Sequence, residues 1–215
     1  PDHVGMGLSD RPGDDAYTYT LQSRIDDLAT LLGALDIRGP ITLAVHDWGG
    51  MVGFGWALAH AAQVQRLVVL NTAAFPLPSA KPMPWQLSLG RDSRIGGFAI
   101  RAFNLFARGA AWFGTQRRLP RDVRRAYIAP YAGWRNAIAT LRFMQDIPLR
   151  EGDPAWALVA AAAQHLPDFA DRPTFIGRRG EPIKTAPSFL MNANRTLSSM
   201  SFGSGWPCSS LSFGL

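Results

Sequence analysis

Ile41-Thr42-Leu43-Ala44-Val45-His46-Asp47-Trp48-Gly49-Gly50-Met51 is the stretch whose reading decides the fold. Its first half is a continuous apolar run with β-branched residues, which predicts a strand buried on both faces. The run ends at Asp47, and two glycines lead into a segment, Met51 to His60, that reads as a helix. A side chain on such a strand-to-helix turn stands out on a sharp, strained bend, and the first N–H groups of the helix point at whatever it attacks. Asp47 occupies the place of a nucleophile. Gly49 and Gly50 are expected to allow the helix close to the strand. Asp-x-Gly is also ordinary turn chemistry, and the bare pattern fits both readings.

Outward from this stretch the elements alternate. Thr20 has the character of an N-cap, and Leu21, Ile25, Leu28, Leu32 and Leu35 recur on one helical face. Arg24, Asp26 and Asp27 fall off that face and are expected on a solvated side. Gly39-Pro40 stops the helix. Downstream, Arg66-Leu67-Val68-Val69-Leu70-Asn71 predicts a second apolar strand. Strand, helix and strand at this spacing form a βαβ unit, so the two strands should be parallel. In open parallel sheets chemistry gathers at the carboxyl ends of the strands, which is where Asp47 lies.

The proline-rich connector from Ala73 to Trp85 cannot hold a helix and marks a boundary. Beyond it helical periodicity runs without strands: Ile95 to Trp112, Arg121 to Ile128, and Trp134 to Ile147. These predict a helical cap inserted between two strands of the sheet. The aromatic stripe Phe98, Phe103, Phe106, Trp112 and Phe113 reads first as ordinary packing and second as the wall of an apolar pocket. The cluster Arg117, Arg118, Arg121, Arg124 and Arg125 reads most simply as a solvated face, and otherwise as a dock for a partner or an acidic headgroup. Arg172 to Ile176 should return the chain to the sheet. After Gly177 periodicity ends, and the Ser- and Gly-rich close of the chain is expected to be loosely packed. The predicted divisions are 1–75 for the first part of the core, 76–170 for the cap, and 171–215 for the return and tail.

Composition narrows the classes. The chain has 215 residues, 47% of them hydrophobic, enough for one domain with a sizeable core. No apolar run reaches the roughly 20 residues of a membrane span. The single cysteine, Cys208, excludes an internal disulfide and fits a cytoplasmic location. The net charge is +6, carried almost wholly by arginine, since Lys81 and Lys184 are the only lysines. Aromatic-basic interleaving of the kind that reads single strands is absent, so nucleic acid is not an expected partner. No metal is expected.

The segments Pro1-Asp-His-Val-Gly-Met-Gly-Leu-Ser-Asp10, Val45-His-Asp-Trp-Gly-Gly-Met51 and Leu70-Asn-Thr-Ala-Ala-Phe75 resemble the haloalkane dehalogenase branch of the α/β-hydrolases. Lys81-Pro-Met-Pro-Trp85, Val123-Arg-Arg-Ala-Tyr127 and Arg142-Phe-Met-Gln-Asp-Ile-Pro148 are similar to the β-lactone decarboxylases that act last in bacterial long-chain olefin biosynthesis. The resemblance covers residues 1 to about 176. It implies an α/β-hydrolase fold with an incomplete parallel sheet and a cap inserted after the second recognisable strand. It makes Asp47 the nucleophile that forms an ester. Trp48 would give its indole N–H to a leaving halide and its backbone N–H to an oxyanion hole. It implies a small apolar substrate, no cofactor, no metal, and other enzymes of olefin biosynthesis as partners. The reaction implied is decarboxylation of a dialkyl β-lactone to a cis-alkene. Haloalkane dehalogenation follows as the alternative, and epoxide hydrolysis, with Tyr127 and Tyr131 as lid tyrosines, comes third. A non-catalytic remnant that binds an acyl chain or a partner is the reading from another class.

Three departures bear on this. The branch's early His-Gly-Asn-Pro segment is absent, so upstream residues are expected to be missing. Asn71 follows Leu70 where an orienting acid can stand, so the acid should follow Ile176, and Glu181 is the only carboxylate beyond Asp171. The histidines are His3, His46, His60 and His165, none in the tail, and the last three read as structural, so the base is unassigned. A reading-frame change near Gly177 would account for the lost resemblance, and the coding DNA read in its other frames tests it. Strands missing from one side should leave apolar sheet surface and edges uncovered.

Overall fold

The computed structural model describes residues 1–72, 74–76, 85–115 and 117–177, with backbone alone at 85–87 and 184–185. In chain order the elements are α1 (Leu21–Ala34), β1 (Ile41–Asp47), α2 (Gly49–Ala59), β2 (Val64–Thr72), α3 (Trp85–Asp92), α4 (Arg94–Phe103), α5 (Leu105–Phe113), α6 (Arg121–Ile128), α7 (Ile138–Gln145), α8 (Trp156–His165), β3 (Thr174–Gly177) and β4 (Lys184–Thr185). They fall into two compact units. Among the described residues, one holds 21–72, 74–76, 148–177 and 184–185, and the other holds 1–20, 85–115 and 117–147.

The first unit is the sheet unit. Its strand order is β1-β2-β3-β4, with β1, β2 and β3 parallel and β4 antiparallel to β3. Val45 pairs with Val69 and Val69 with Ile176, so the three predicted strands lie side by side. Burial on both faces of β1 is not found. Val45 is buried, while Thr42 and Ala44 are exposed. Among the described residues β1 has β2 as its only neighbour, and alternate side chains leave on a face that α2 does not cover. Leu70 and Phe175 are also exposed on this sheet.

The helix α2 is apolar around its circumference and is packed on several sides, as such a helix must be. Val52, Phe54, Trp56 and Ala57 join Leu21 and Ile25 of α1, Val45 of β1, Leu67 of β2, and Val159 and Ala162 of α8 in one core. Phe54 meets Phe169, just after α8, edge-on at 5.9 Å. Arg172 ties the entry of β3 to that of β2, donating from Nη1 to the carbonyls of Ala61 and Val64, each at 2.6 Å. The helix α8 lies within the predicted cap of 76–170 but packs in this unit. Its Ala-rich sequence offers a narrow apolar face that α2 covers.

The second unit is built of helices and loops and holds most of the segment expected to form the cap, from which it takes the label cap unit. The loop Pro1 to Asp15 belongs here and not with the core segment 1–75. Val4 and Met6 pack on a cluster of Tyr19, Ile138 and Ala139. Gly5, at φ 86°, sits so close to α7 that a Cβ would lie 2.3 Å from Ala139 Cβ, so only glycine fits. Ile100 of α4 packs with Leu141 and Met144 of α7, and Phe106 of α5 rests on them. The predicted helix from Ile95 to Trp112 is two helices, broken at Asn104, which adopts the left-handed conformation at φ 52°. Asparagine tolerates that geometry better than most residues. The break redirects the aromatic stripe: Phe106 packs, but Phe98, Phe103, Trp112 and Phe113 are exposed. Ordinary packing therefore does not account for the stripe.

Arg142 donates to both carboxylate oxygens of Asp14, from Nε at 2.8 Å and Nη2 at 2.7 Å, and holds that carboxyl below its ordinary pKa. A depressed carboxylate contributes stability above the ordinary value near 4 and loses it as pH falls through the lowered one. Both side chains are more than a third exposed, so solvent screening limits the pair to about 0.5–1 kcal/mol. Asp14→Asn should lower the melting temperature at pH 7 by about 1–4 °C. The deficit should shrink in high salt and as pH falls below the ordinary carboxyl value of about 4. A deficit indifferent to both would remove the pair from the account.

Candidate active site

At Asp47 the chain leaves β1 and enters α2. The residue has φ 49°, a left-handed conformation that costs an ordinary L-residue about 1–2 kcal/mol. Trp48 is already helical at φ −58°, ψ −25°, and its carbonyl accepts the first helical bond from Val52 N–H at 3.1 Å. The bend is therefore one residue wide. The neighbouring strand bends with it: His46 pairs with Leu70 but Asp47 with Thr72, so Asn71 is the extra residue of a bulge, at φ 36°. Thr72 then reaches across and donates its hydroxyl to the Asp47 carbonyl oxygen. The turn is fixed from both strands.

Burial pushes the Asp47 carboxyl above its ordinary pKa, while the Trp48 backbone N–H, which hydrogen-bonds it, and His46 pull the other way. Desolvation wins. A desolvated carboxylate facing a helix N-terminus is a poorly solvated anion, which makes a better nucleophile than one in water.

Arg24, expected on the solvated side of α1, is buried, with 1% exposure. Its guanidinium carbon lies 5.6 Å from the centroid of the Trp48 ring, within cation-π range. Gly53 is the glycine that brings α2 against the strand, because a Cβ there would lie 2.6 Å from Val45 Cγ1. A Cβ on Gly49 would meet nothing within 4 Å. Gly55 plays the same part toward α1, with Ile25 Cδ1 at 2.4 Å from its would-be Cβ. The periodicity G-x-G at 53 and 55 was the available signal, alongside the threonine at 72.

The histidines stand in ordinary positions. His60 ends α2, its ring stacked on Trp56 at 4.6 Å and its Nδ1 2.9 Å from the Trp56 carbonyl. His165 ends α8 and faces Asp168 at 2.8 Å on the exposed surface. His3 leans on Phe143 in the cap unit. Glu181 and the tail lie outside the described residues, as does the connector Leu77 to Pro84. In the cap unit Tyr131 is buried and its phenol is pushed up in pKa by that burial, whereas Tyr127 is exposed. Among the described residues no three histidines, cysteines or carboxylates cluster as for a metal, and no helix is long and apolar enough to cross a membrane.

Residues 1–127 match the α/β-hydrolase fold family. The chain belongs to the α/β-hydrolases. This α/β-hydrolase is 61% identical over 202 residues to a cis-3-alkyl-4-alkyloxetan-2-one decarboxylase of Xanthomonas campestris pv. campestris, covering 92% of the chain and 67% of that protein. It is 49% identical over 177 residues to the decarboxylase of the same name from Shewanella oneidensis, covering 82% of the chain and 56% of that protein. The Xanthomonas match is too long to end at residue 176, where the motifs stop, so it takes in part of the tail. Haloalkane dehalogenase DbeA from Bradyrhizobium elkani USDA94 shares the fold at a TM-score of 0.75 and 22% identity, over 91% of the chain and 68% of that structure. The chain thus spans between about half and two thirds of the length of these relatives.

Proposed function

We propose that Asp47 is the nucleophile of an enzyme that decarboxylates a dialkyl β-lactone to a cis-alkene. The observation that carries this is a desolvated carboxylate, held at φ 49° between the carboxyl end of a parallel strand and the N-terminus of α2. The names of the two decarboxylases supply the substrate class.

The chemistry balances on that one group. A carboxylate oxygen attacks the ring carbon bonded to the ring oxygen, and that carbon-oxygen bond breaks. The product is an alkyl ester of Asp47 bearing a free carboxylate on the adjacent carbon. Loss of carbon dioxide then supplies the electron pair of the double bond, and the ester carbon-oxygen bond breaks to restore Asp47. Inversion followed by anti elimination takes a cis-lactone to a cis-alkene. Neither water nor a proton is consumed. Hydrolysis of a haloalkane differs, because its ester must be broken by a base-activated water.

The two substrates therefore report on different parts of the site. A cis-dialkyl β-lactone should yield alkene and carbon dioxide. A 1-bromoalkane should leave a stable alkyl ester on Asp47, seen by mass spectrometry of the peptide that contains it. Steady release of alcohol from the bromoalkane would make the protein a dehalogenase. No alkene, and no ester from either compound, on a chain that melts cooperatively would leave binding alone as its role.

A further inference from the structure

We propose that the α5–α6 face of the cap unit docks on an anionic lipid bilayer. Residues 105–128 hold Arg108, Arg117, Arg118, Arg121, Arg124 and Arg125 against a single acid, Asp122. None of the six forms an ion pair among the described residues. Six positive charges against one negative leave the stretch with a net charge of +5, counted from the sequence, which asks for an external anion. Apolar groups share it. Leu105, Trp112 and Phe113 are 50%, 49% and 66% exposed, and the Arg124 guanidinium lies 3.9 Å over the Trp112 ring. Arg108, Trp112, Arg125, Ile128 and Ala129 line an open groove of about 410 Å³.

That combination selects the occupant. A nucleic acid would satisfy the arginines through its phosphates but would leave Leu105 and Phe113 in water. A bilayer surface satisfies both. Guanidinium groups fork onto headgroup phosphates, while aromatic and aliphatic side chains enter the boundary between headgroups and acyl chains. The proposal rests on this surface and is independent of turnover at Asp47.

The test is co-sedimentation of the full chain with vesicles of phosphatidylcholine alone and of phosphatidylcholine with phosphatidylglycerol. The chain should pellet with the anionic vesicles and be released as salt rises. Each arginine at an anionic surface is worth about fivefold in partitioning, so Arg121→Gln with Arg125→Gln should weaken binding about 25-fold at an unchanged melting temperature. Phe113→Ser should weaken it at every salt concentration. Equal pelleting with neutral and anionic vesicles overturns the proposal, as does an unaltered partition of the double variant. Retention on homopolymer RNA without vesicle binding would reassign the face to nucleic acid.

Discussion

Asp47→Asn should abolish β-lactone turnover, by about 10⁴-fold or more, while raising the melting temperature at neutral pH. Asparagine keeps the shape and tolerates the left-handed backbone of position 47 as aspartate does, so the change removes charge without relieving or adding strain. The direction of the stability effect follows from the raised pKa. A carboxyl raised by folding binds its proton more tightly in the native state. Its favourable contribution is therefore complete below the unfolded value near 4 and is lost as pH rises through the folded value. Above that, the native state carries the cost of a buried anion, which asparagine does not. The gain in melting temperature should thus be full above the raised folded value and fade to nothing below about pH 4. Turnover by the parent should fall over the same acid window as the nucleophile is protonated. Activity in the variant within tenfold of the parent would dismiss Asp47 as nucleophile. A variant less stable than the parent at pH 7 would mean that the carboxylate holds the turn through a bond that asparagine cannot make.

The parts of this architecture that were legible are those in which a short stretch carries its own instruction. The β1-Asp47-α2 turn, the second parallel strand, the bounds of α6 and the return at Thr174–Gly177 all follow from apolar runs and their punctuation. What was illegible depended on partners far away in sequence. Arg24 looks solvated because it lies off the apolar stripe of α1, yet it is buried with its guanidinium beside the Trp48 ring. Whether β1 is buried on both faces depends on which strands flank it, and a run of β-branched residues does not specify that. Asn104 interrupts what periodicity alone reads as one helix, since one left-handed residue leaves the apolar spacing on either side intact. The cap boundary at 170 misplaces α8 for a related reason. Its alanines fit either unit, and the contact with α2 decides.

Gly53 offers the sharpest separation between a glycine that looks important and one that is. Replacing it with alanine removes the intrinsic helix penalty of glycine, a gain of about 1 kcal/mol. Against that, the new Cβ would lie 2.6 Å from Val45 Cγ1 and 3.4 Å from Leu43 Cδ1. Val45 is buried and β-branched, so it has few rotamers to retreat into. Overpacking of this kind costs about 1–3 kcal/mol, and the larger Gly53→Val should exceed that range. We therefore expect Gly53→Ala to be destabilised by up to about 2 kcal/mol, which is up to about 8 °C for a chain of this length. Valine should lower the melting temperature further. Gly49→Ala should be neutral to slightly stabilising, because nothing lies within 4 Å of its Cβ and glycine's helix penalty is relieved there too, though less at the first helical position. The clash also has a direction. It pushes α2 away from β1 and so moves the helix N-terminus relative to Asp47, and a displacement near 1 Å costs about 100-fold in rate. Val45→Ala in the Gly53→Ala background should restore part of the rate and lose less stability than the two single changes summed, since the offending methyl is gone. Equal stability for Gly49→Ala and Gly53→Ala would show that the helix-to-strand distance is set elsewhere. Additive losses in the double variant would show that the methyl of Val45 is not what the new side chain meets.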